Sequence, residues 1–147
     1  MKLGFIGTGT ISTAVIIGLM RSKAKIEQIN ISHRSKKNSS YLSRKFKKIK
    51  IFKKNQEIIN ISKVIFIGLL PKHVRGEIGK LQFKKGQVIV SFISTHNIKT
   101  IKKLCSPATT IIKAAPLPMA ADELSPTIIY PNHKLIRSLF GKIGTVV

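Results

Sequence analysis

The sequence predicts an α/β fold built on a doubly wound, mostly parallel sheet. Short apolar runs that suit buried strands alternate with segments of helical periodicity along all 147 residues, and such alternation is typical of repeated β–α units. The first unit is also the clearest, because the apolar run 3–6 leads into Gly7-Thr8-Gly9-Thr10-Ile11-Ser12 and then into a helical pattern. Since no linker or low-complexity segment divides the chain, we expect one domain over residues 1–147.

The glycine hexamer is the most informative motif. Gly7 allows a tight turn, and Gly9 allows a pyrophosphate to approach the backbone. The helix that follows offers free N–H groups and the positive end of its dipole to that anion. Ser12 stands where close packing of helix on strand requires a small side chain. Since a second strand follows at 29–31, the arrangement predicts a Rossmann-type dinucleotide-binding fold, the alternative being a glycine turn in another α/β protein.

The end of the second strand indicates which dinucleotide is bound. NAD-selective sites usually carry an acid there, which accepts hydrogen bonds from the ribose 2′-OH. This chain has Ser32-His33-Arg34, and no acid lies between Glu27 and Glu57. A hydroxyl and a guanidinium suit a 2′-phosphate, which a carboxylate would repel. We therefore expect NADP(H), held by Ser32 and Arg34, although Arg34 as one more surface cation is the alternative.

The remaining elements follow in order. Later strands are expected at short apolar runs: 50–52, 64–67, 88–92, 109–113, 127–130 and 145–147. Helices are expected between them: 39–46, 56–61, 73–81, 97–104 and 132–140. Ser39 or Ser40 should cap the first of these helices and Asn97 the fourth, because their side-chain oxygens can accept from free backbone N–H groups.

The chain is extremely basic, with 27 Lys and Arg against 5 acids and a net charge of +22. Such a surface attracts nucleic acid without sequence preference. The densest segment, 44–54, also contains Phe46 and Phe52, which could stack on bases in a nucleic-acid groove. We favour a solvated helix face whose two rings point inward, and we expect only non-specific nucleic-acid binding.

Few side chains suggest chemistry of their own. The single cysteine, Cys105, excludes a disulfide framework and fits a cytoplasmic setting. The carboxylates and histidines lack acid–base or metal-ligand spacing, so no catalytic residue and no metal site is assigned. His96 is either a loop proton donor or simply solvated, and the latter is favoured. No apolar run approaches the roughly 20 residues of a membrane span. A nicotinamide enzyme needs few such groups, because the cofactor carries the hydride.

The chain resembles the N-terminal domain of the pyrroline-5-carboxylate reductase family. The matching segments run from end to end: 2–11, 31–34, 64–71, 86–91, 113–116 and 139–147. The resemblance implies an NADPH-dependent reductase that converts a cyclic imine to L-proline in proline biosynthesis. It also implies cofactor-binding roles along the chain. On this resemblance the pyrophosphate is bound by Gly7, Thr8, Gly9, Thr10 and Ile11. The 2′-phosphate is bound by Ser32 and Arg34. The adenosine and nicotinamide ribose are flanked by Asn55, Leu69, Leu70 and Pro71.

The chain departs from the family at several positions and in length. Leu70 replaces the lysine that usually precedes the proline of the fourth-strand motif. The helical dimerisation domain of the family is expected to be absent from residues 1–147, which makes catalysis by this chain alone doubtful. Its partners would be a small-molecule substrate and either a second copy or a separate domain. Alternatives are a related NADP- or deazaflavin-dependent reductase of another substrate and a non-catalytic nucleotide- or polyanion-binding protein.

Overall fold

A computed structural model describes all 147 residues and confirms the α/β class. The strands are β1 (Lys2–Ile6), β2 (Gln28–Ser32), β3 (Ile49–Phe52), β4 (Val64–Ile67), β5 (Val88–Ser91), β6 (Thr110–Ala115), β7 (Ser125–Tyr130) and β8 (Gly144–Val146). The helices are α1 (Thr10–Arg21), α2 (Lys36–Lys45), α3 (Asn55–Ile61), α4 (Pro71–Ile78), α5 (Ile98–Leu104) and α6 (Lys134–Gly141). A short 3₁₀ helix spans Pro118–Asp122.

All eight strands form one sheet in the order β3-β2-β1-β4-β5-β6-β7-β8. Every neighbouring pair is parallel except β6 and β7, which run antiparallel. The chain builds outward from β1 to β3 and then returns to place β4 on the other side of β1. The carboxyl ends of β1 and β4 therefore meet at the point where the strand order reverses, and ligands of open α/β sheets bind at such a point.

Alternating side chains of the strands supply two apolar cores, one on each face of the sheet. Phe66 on β4 belongs to a cluster of 23 buried residues that includes α1 and α6. Its neighbours Ile65 and Ile67 belong to a cluster of 14 on the face of α3, α4 and α5. All four residues of β4 are buried, as expected for a parallel strand covered on both faces. The rings of Phe5 and Phe66 stack with centroids 4.4 Å apart, which links β1 to β4 beneath the reversal point.

Local signals placed most elements within a few residues of their observed bounds. Asn97 caps α5 as predicted, since its Oδ1 accepts from Thr100 N–H at 2.8 Å. The expectation for α2 was wrong, because this helix begins at Lys36 with Ser35 at the cap position. Ser39 lies inside the helix, where it is buried and its hydroxyl donates to the Lys36 carbonyl. Ser39 therefore does not cap α2: its hydroxyl donates to a backbone carbonyl of the first turn.

The 3₁₀ helix and the reversed direction of β7 were not foreseen. The 3₁₀ helix packs so closely on α1 that a Cβ on Gly18 would lie 2.2 Å from the Ala120 carbonyl oxygen. Only glycine at position 18 permits this approach of two backbones. The contact covers the middle of α1 and sends the chain back along the sheet, so that β7 pairs antiparallel with β6.

The two aromatic residues of the basic segment are half-buried, and each packs against a core. Phe46 lies against the larger apolar cluster and Phe52 against the smaller one. Neither ring is a free platform for a nucleic-acid base, so the geometry favours the solvated basic face. None of the helices combines the length and apolar character that a membrane crossing requires.

Cys105, at the end of α5, is completely buried and unpaired. Burial raises the pKa of its thiol from 9.0 to about 12, because desolvation penalises the thiolate. The native thiol is therefore protonated and shielded at neutral pH. Since the folded-state pKa is the higher one, this group's contribution to stability is fully present below pH 9 and is lost as the pH rises towards 12.

Candidate functional site

The turn after β1 requires glycine at its first position. Gly7 has φ +98°, in the region that side-chain-bearing residues rarely adopt. A Cβ there would also lie 2.6 Å from the Gly68 carbonyl oxygen, which follows β4. The Gly7 N–H donates to Ser32 Oγ at 2.9 Å, so the ends of β1, β2 and β4 are tied together at this residue.

The second glycine faces open space. No protein atom lies within 4 Å of the position that a Cβ on Gly9 would take. The first hydrogen bond of α1 runs from Thr13 N–H to the Gly9 carbonyl, which leaves the N–H groups of Thr10, Ile11 and Ser12 without an acceptor in the helix. The first turn carries no acid. Backbone donors, an open approach and the positive helix end together make an anion site.

Hydrogen bonds from α1 and α2 hold Thr8, the residue between these two glycines. Asn38 Nδ2 donates to the Thr8 carbonyl at 2.7 Å, and Thr13 Oγ1 donates to the same oxygen at 3.2 Å. The Thr8 hydroxyl is buried without a hydrogen-bond partner. Sequence reasoning missed Asn38, since nothing in its local pattern distinguishes it from a solvated helix residue.

A first depression, here called the glycine cleft, has a volume of about 280 Å³. It is lined by Gly9, Thr10, Ile11, Ser12, Gly68, Leu69, Leu70 and Phe92. Ser12 does serve close packing, because a Cβ on Gly68 would lie 2.1 Å from its Oγ. Leu70 is largely exposed at the edge of the cleft, and Pro71 begins α4 just outside it.

A second depression, here called the basic cleft, lies beyond the carboxyl ends of β2 and β3 and has a volume of about 820 Å³. Its lining is almost entirely polar: Ser32, His33, Arg34, Lys53, Lys54, Asn55, Gln56, Asn60, Glu77, Lys80, Leu81 and Gln82. Arg34 Nη1 lies 3.1 Å from Glu77 Oε1. The cations of this lining outnumber its one acid, so the charge of the cleft suits a second anion.

The fold therefore brings the predicted cofactor residues to two adjacent clefts. Gly9, Thr10, Ile11, Leu69 and Leu70 line the glycine cleft, whereas Ser32, Arg34 and Asn55 line the basic cleft. Gly7, Thr8 and Pro71 lie outside both linings: Gly7 and Thr8 belong to the turn after β1, and Pro71 begins α4. The Ser32 hydroxyl is buried and already accepts from Gly7, so it is positioned chiefly to hold the turn.

The residues present fit a phosphorylated dinucleotide. The free N–H groups of α1 and the open side of Gly9 suit a pyrophosphate, and the basic cleft suits a further phosphate on the ribose. Groups for acid–base or metal chemistry are sparse. No three His, Cys, Asp or Glu side chains are grouped to hold a metal ion. The His96 ring, through Nδ1, forms a hydrogen bond with the adjacent Thr95 hydroxyl at 3.2 Å.

Comparison with known proteins agrees with this geometry. Residues 2–95 match the family described as NADP oxidoreductase, coenzyme F420-dependent. The chain belongs to this family. Among curated relatives, pyrroline-5-carboxylate reductase 3 of Danio rerio is 26% identical over 99% of the chain. Pyrroline-5-carboxylate reductase 2 of Bacillus subtilis is 25% identical over 86% of it.

A solved structure of pyrroline carboxylate reductase from Plasmodium falciparum, which has NADP bound, superimposes with a TM-score of 0.84 at 17% identity. The comparison covers 100% of this chain and 56% of that one, and it confirms the Rossmann-type fold. The two curated relatives are matched over 54% and 46% of their lengths. The chain thus spans about half the length of the relatives that it matches.

A substitution at Gly9 tests the anion site. Gly9→Ala is expected to lower cofactor affinity about ten- to hundredfold, because its methyl group would displace the pyrophosphate from backbone donors worth roughly 1.5–3 kcal/mol. Stability should fall by less than about 1 kcal/mol, the scale of a helix-cap change. Titration by cofactor fluorescence, with urea unfolding in parallel, measures both. Gly86→Ala, which also meets no protein atom within 4 Å, is the control. Undiminished affinity of Gly9→Ala would mean that the pyrophosphate binds elsewhere.

Proposed function

We propose that residues 1–147 form the NADP(H)-binding domain of an oxidoreductase that reduces pyrroline-5-carboxylate to L-proline. The observation that carries the cofactor assignment is the pairing of an open glycine turn with the adjoining basic cleft, together with the missing acid at the end of β2. The likeness to two pyrroline-5-carboxylate reductases supports the choice of substrate. On this proposal the protein acts in proline biosynthesis in the cytoplasm.

Each group of residues has a distinct task in this proposal. The N–H groups of Thr10, Ile11 and Ser12 bind the pyrophosphate, and Arg34 binds the 2′-phosphate by a charge-assisted contact. Asn55 lies beside the adenosine. Leu69 and Leu70 flank the nicotinamide ribose and keep water from it. Bound NADPH supplies the hydride, so the chain's own task is to bind and orient the cofactor.

The exposed apolar surface near the glycine cleft supports a further covering element. A depression of about 290 Å³ lies between the ends of β5 and β6, and Phe92 lines both this depression and the glycine cleft. Beside it Ile128 and Tyr130 are 59% and 68% exposed. Large apolar side chains so exposed are typical of a surface that meets another body. We propose that a helical domain or a second copy of the chain covers it and completes the substrate pocket.

Replacing Arg34 tests the cofactor preference. Arg34→Ala is expected to weaken NADPH binding about ten- to hundredfold and to leave NADH binding nearly unchanged, since a hydrogen-bonded phosphate contact is worth roughly 1.5–3 kcal/mol. Cofactor fluorescence provides the measurement. Arg44→Ala, which removes the same charge from α2 outside the basic cleft, is the control. Equal losses for the two cofactors would show that Arg34 does not read the phosphate.

A second candidate is a related reductase that uses another substrate or a deazaflavin. The family description names coenzyme F420, and Leu70 stands where the pyrroline-5-carboxylate reductase resemblance implies a lysine. NADPH oxidation measured with pyrroline-5-carboxylate and, separately, with a deazaflavin distinguishes these reactions. Because the isolated chain is expected to turn over slowly, only cofactor binding with no detectable turnover of either substrate at high protein concentration would favour a non-catalytic nucleotide-binding protein. An accompanying mass measurement would identify any oligomer.

A further inference from the structure

Glu77 is the only acid among the residues that line the basic cleft. It reaches in from α4 and makes contacts with three neighbours. One carboxylate oxygen, Oε1, lies 3.1 Å from Arg34 Nη1. The other, Oε2, lies 3.5 Å from Asn55 Nδ2 and 4.0 Å from Lys80 Nζ. A single carboxylate thus engages the arginine expected to bind the cofactor phosphate and a residue expected to lie beside the adenosine.

A carboxylate and a phosphate monoester make similar demands on a guanidinium. Both offer paired oxygens to its planar fork of N–H donors. A ribose phosphate also carries a charge of roughly −1.5 to −2 at neutral pH, so it is repelled by a carboxylate that remains at its side. The phosphate therefore competes with Glu77 for the N–H donors of Arg34, whereas a 2′-hydroxyl carries no charge that would compete.

The partial exposure of the pair makes this exchange feasible. The Arg34 side chain is 49% exposed and that of Glu77 is 27% exposed. Ion pairs in such surroundings contribute little free energy, because water screens them. The contact is strong enough to hold Arg34 over the cleft and weak enough for a phosphate to displace.

We propose that Glu77 is a specificity-determining residue that competes with the cofactor 2′-phosphate for Arg34. It lowers the affinity for NADP(H) and leaves the affinity for NAD(H) unaltered. Glu77 thereby reduces the preference for NADP(H) over NAD(H) that Arg34 alone would give. This inference rests on the proposed function, in which Arg34 binds the 2′-phosphate.

The test is the isosteric change Glu77→Gln, which keeps a hydrogen-bond acceptor for Arg34 and removes the charge. NADPH should bind about two- to fivefold more tightly, the fold-change that corresponds to a pair of this kind. NADH affinity should not change. Glu57→Gln is the matched control, because it makes the same change in net charge at an exposed position outside the cleft. In an Arg34→Ala background the gain from Glu77→Gln should shrink, since the contested partner is gone.

The possible results distinguish a failure of this inference from a failure of the proposed function on which it rests. Suppose that Glu77→Gln binds NADPH no more tightly than the unmodified chain, while Arg34→Ala still loses affinity for NADPH and not for NADH. That result would leave the proposed function standing and overturn the proposed competition. Weaker NADH binding would also overturn it, by assigning the carboxylate to the ribose 2′-OH. Equal loss of both cofactors in Arg34→Ala, or no NADPH binding by the unmodified chain, would instead remove the proposed function.

Discussion

Gly7→Ala is expected to destabilise the protein by about 2–4 kcal/mol, which combines the strain of a rarely adopted backbone conformation with overpacking. The residue has φ +98°, and its Cβ would lie 2.6 Å from the carbonyl oxygen of Gly68. That oxygen cannot easily retreat, because Gly68 N–H is bonded to the Ile6 carbonyl at 3.0 Å. The loss is a large part of the roughly 5–15 kcal/mol that stabilises a typical domain.

Urea unfolding measures this loss directly, and labelling of Cys105 provides a second reading. The thiol is buried and protonated in the native state, so a thiol reagent reaches it only when the fold opens. Gly86→Ala serves as the control, since no atom lies near its Cβ position and its effect should stay within about 0.5 kcal/mol. If Gly7→Ala were as stable as the unmodified chain, the turn after β1 would have to adopt another conformation.

The 147-residue chain is expected to bind NADPH but to reduce pyrroline-5-carboxylate at least about a thousandfold more slowly than a full-length reductase. Holding the imine carbon against the nicotinamide supplies a large share of catalysis, and effective molarities of about 10⁵–10⁸ M indicate how much positioning can contribute. Under the proposed function, residues 1–147 would supply one wall of such a pocket, formed by the glycine cleft and the apolar surface beside it.

NADPH oxidation followed over a range of protein concentrations measures the rate. Comparison with a full-length reductase under the same conditions supplies the reference. Turnover that matched the reference would contradict the prediction, and a rate per chain that rose with concentration would assign the second wall to another copy of this domain.

The glycine turn was predictable because its requirements are local. A strand that leads through a tight turn into an anion-binding helix needs a positive φ at Gly7, an open approach at Gly9 and a small residue at Ser12. Arg34 was likewise predictable, because the end of the second strand always lies beside this turn in the fold. Its role as a phosphate ligand and those of Asn55, Leu69, Leu70 and Pro71 stay predictions.

Glu77 and Asn38 were not predictable in the same way. Glu77 contacts Arg34 across 43 positions of sequence, and Asn38 reaches Thr8 across 30. Nothing in their own neighbourhoods marks them, because each acts through a partner that only the packing of a helix against the sheet brings within reach. The 3₁₀ helix was not predictable for the same reason, since its position depends on the contact between Gly18 and Ala120.

The α/β class and the position of the glycine turn follow from the sequence, as does the absence of an acid after the second strand. These depend on backbone conformation, on strand and helix periodicity and on residue chemistry within a few positions. Three further features appear only in the folded chain: β7 runs antiparallel to β6, Ser32 accepts a hydrogen bond from Gly7 in the turn, and Arg34 pairs with Glu77. Those features depend on contacts between distant segments, whose geometry is set by the packing of helices on both faces of the sheet.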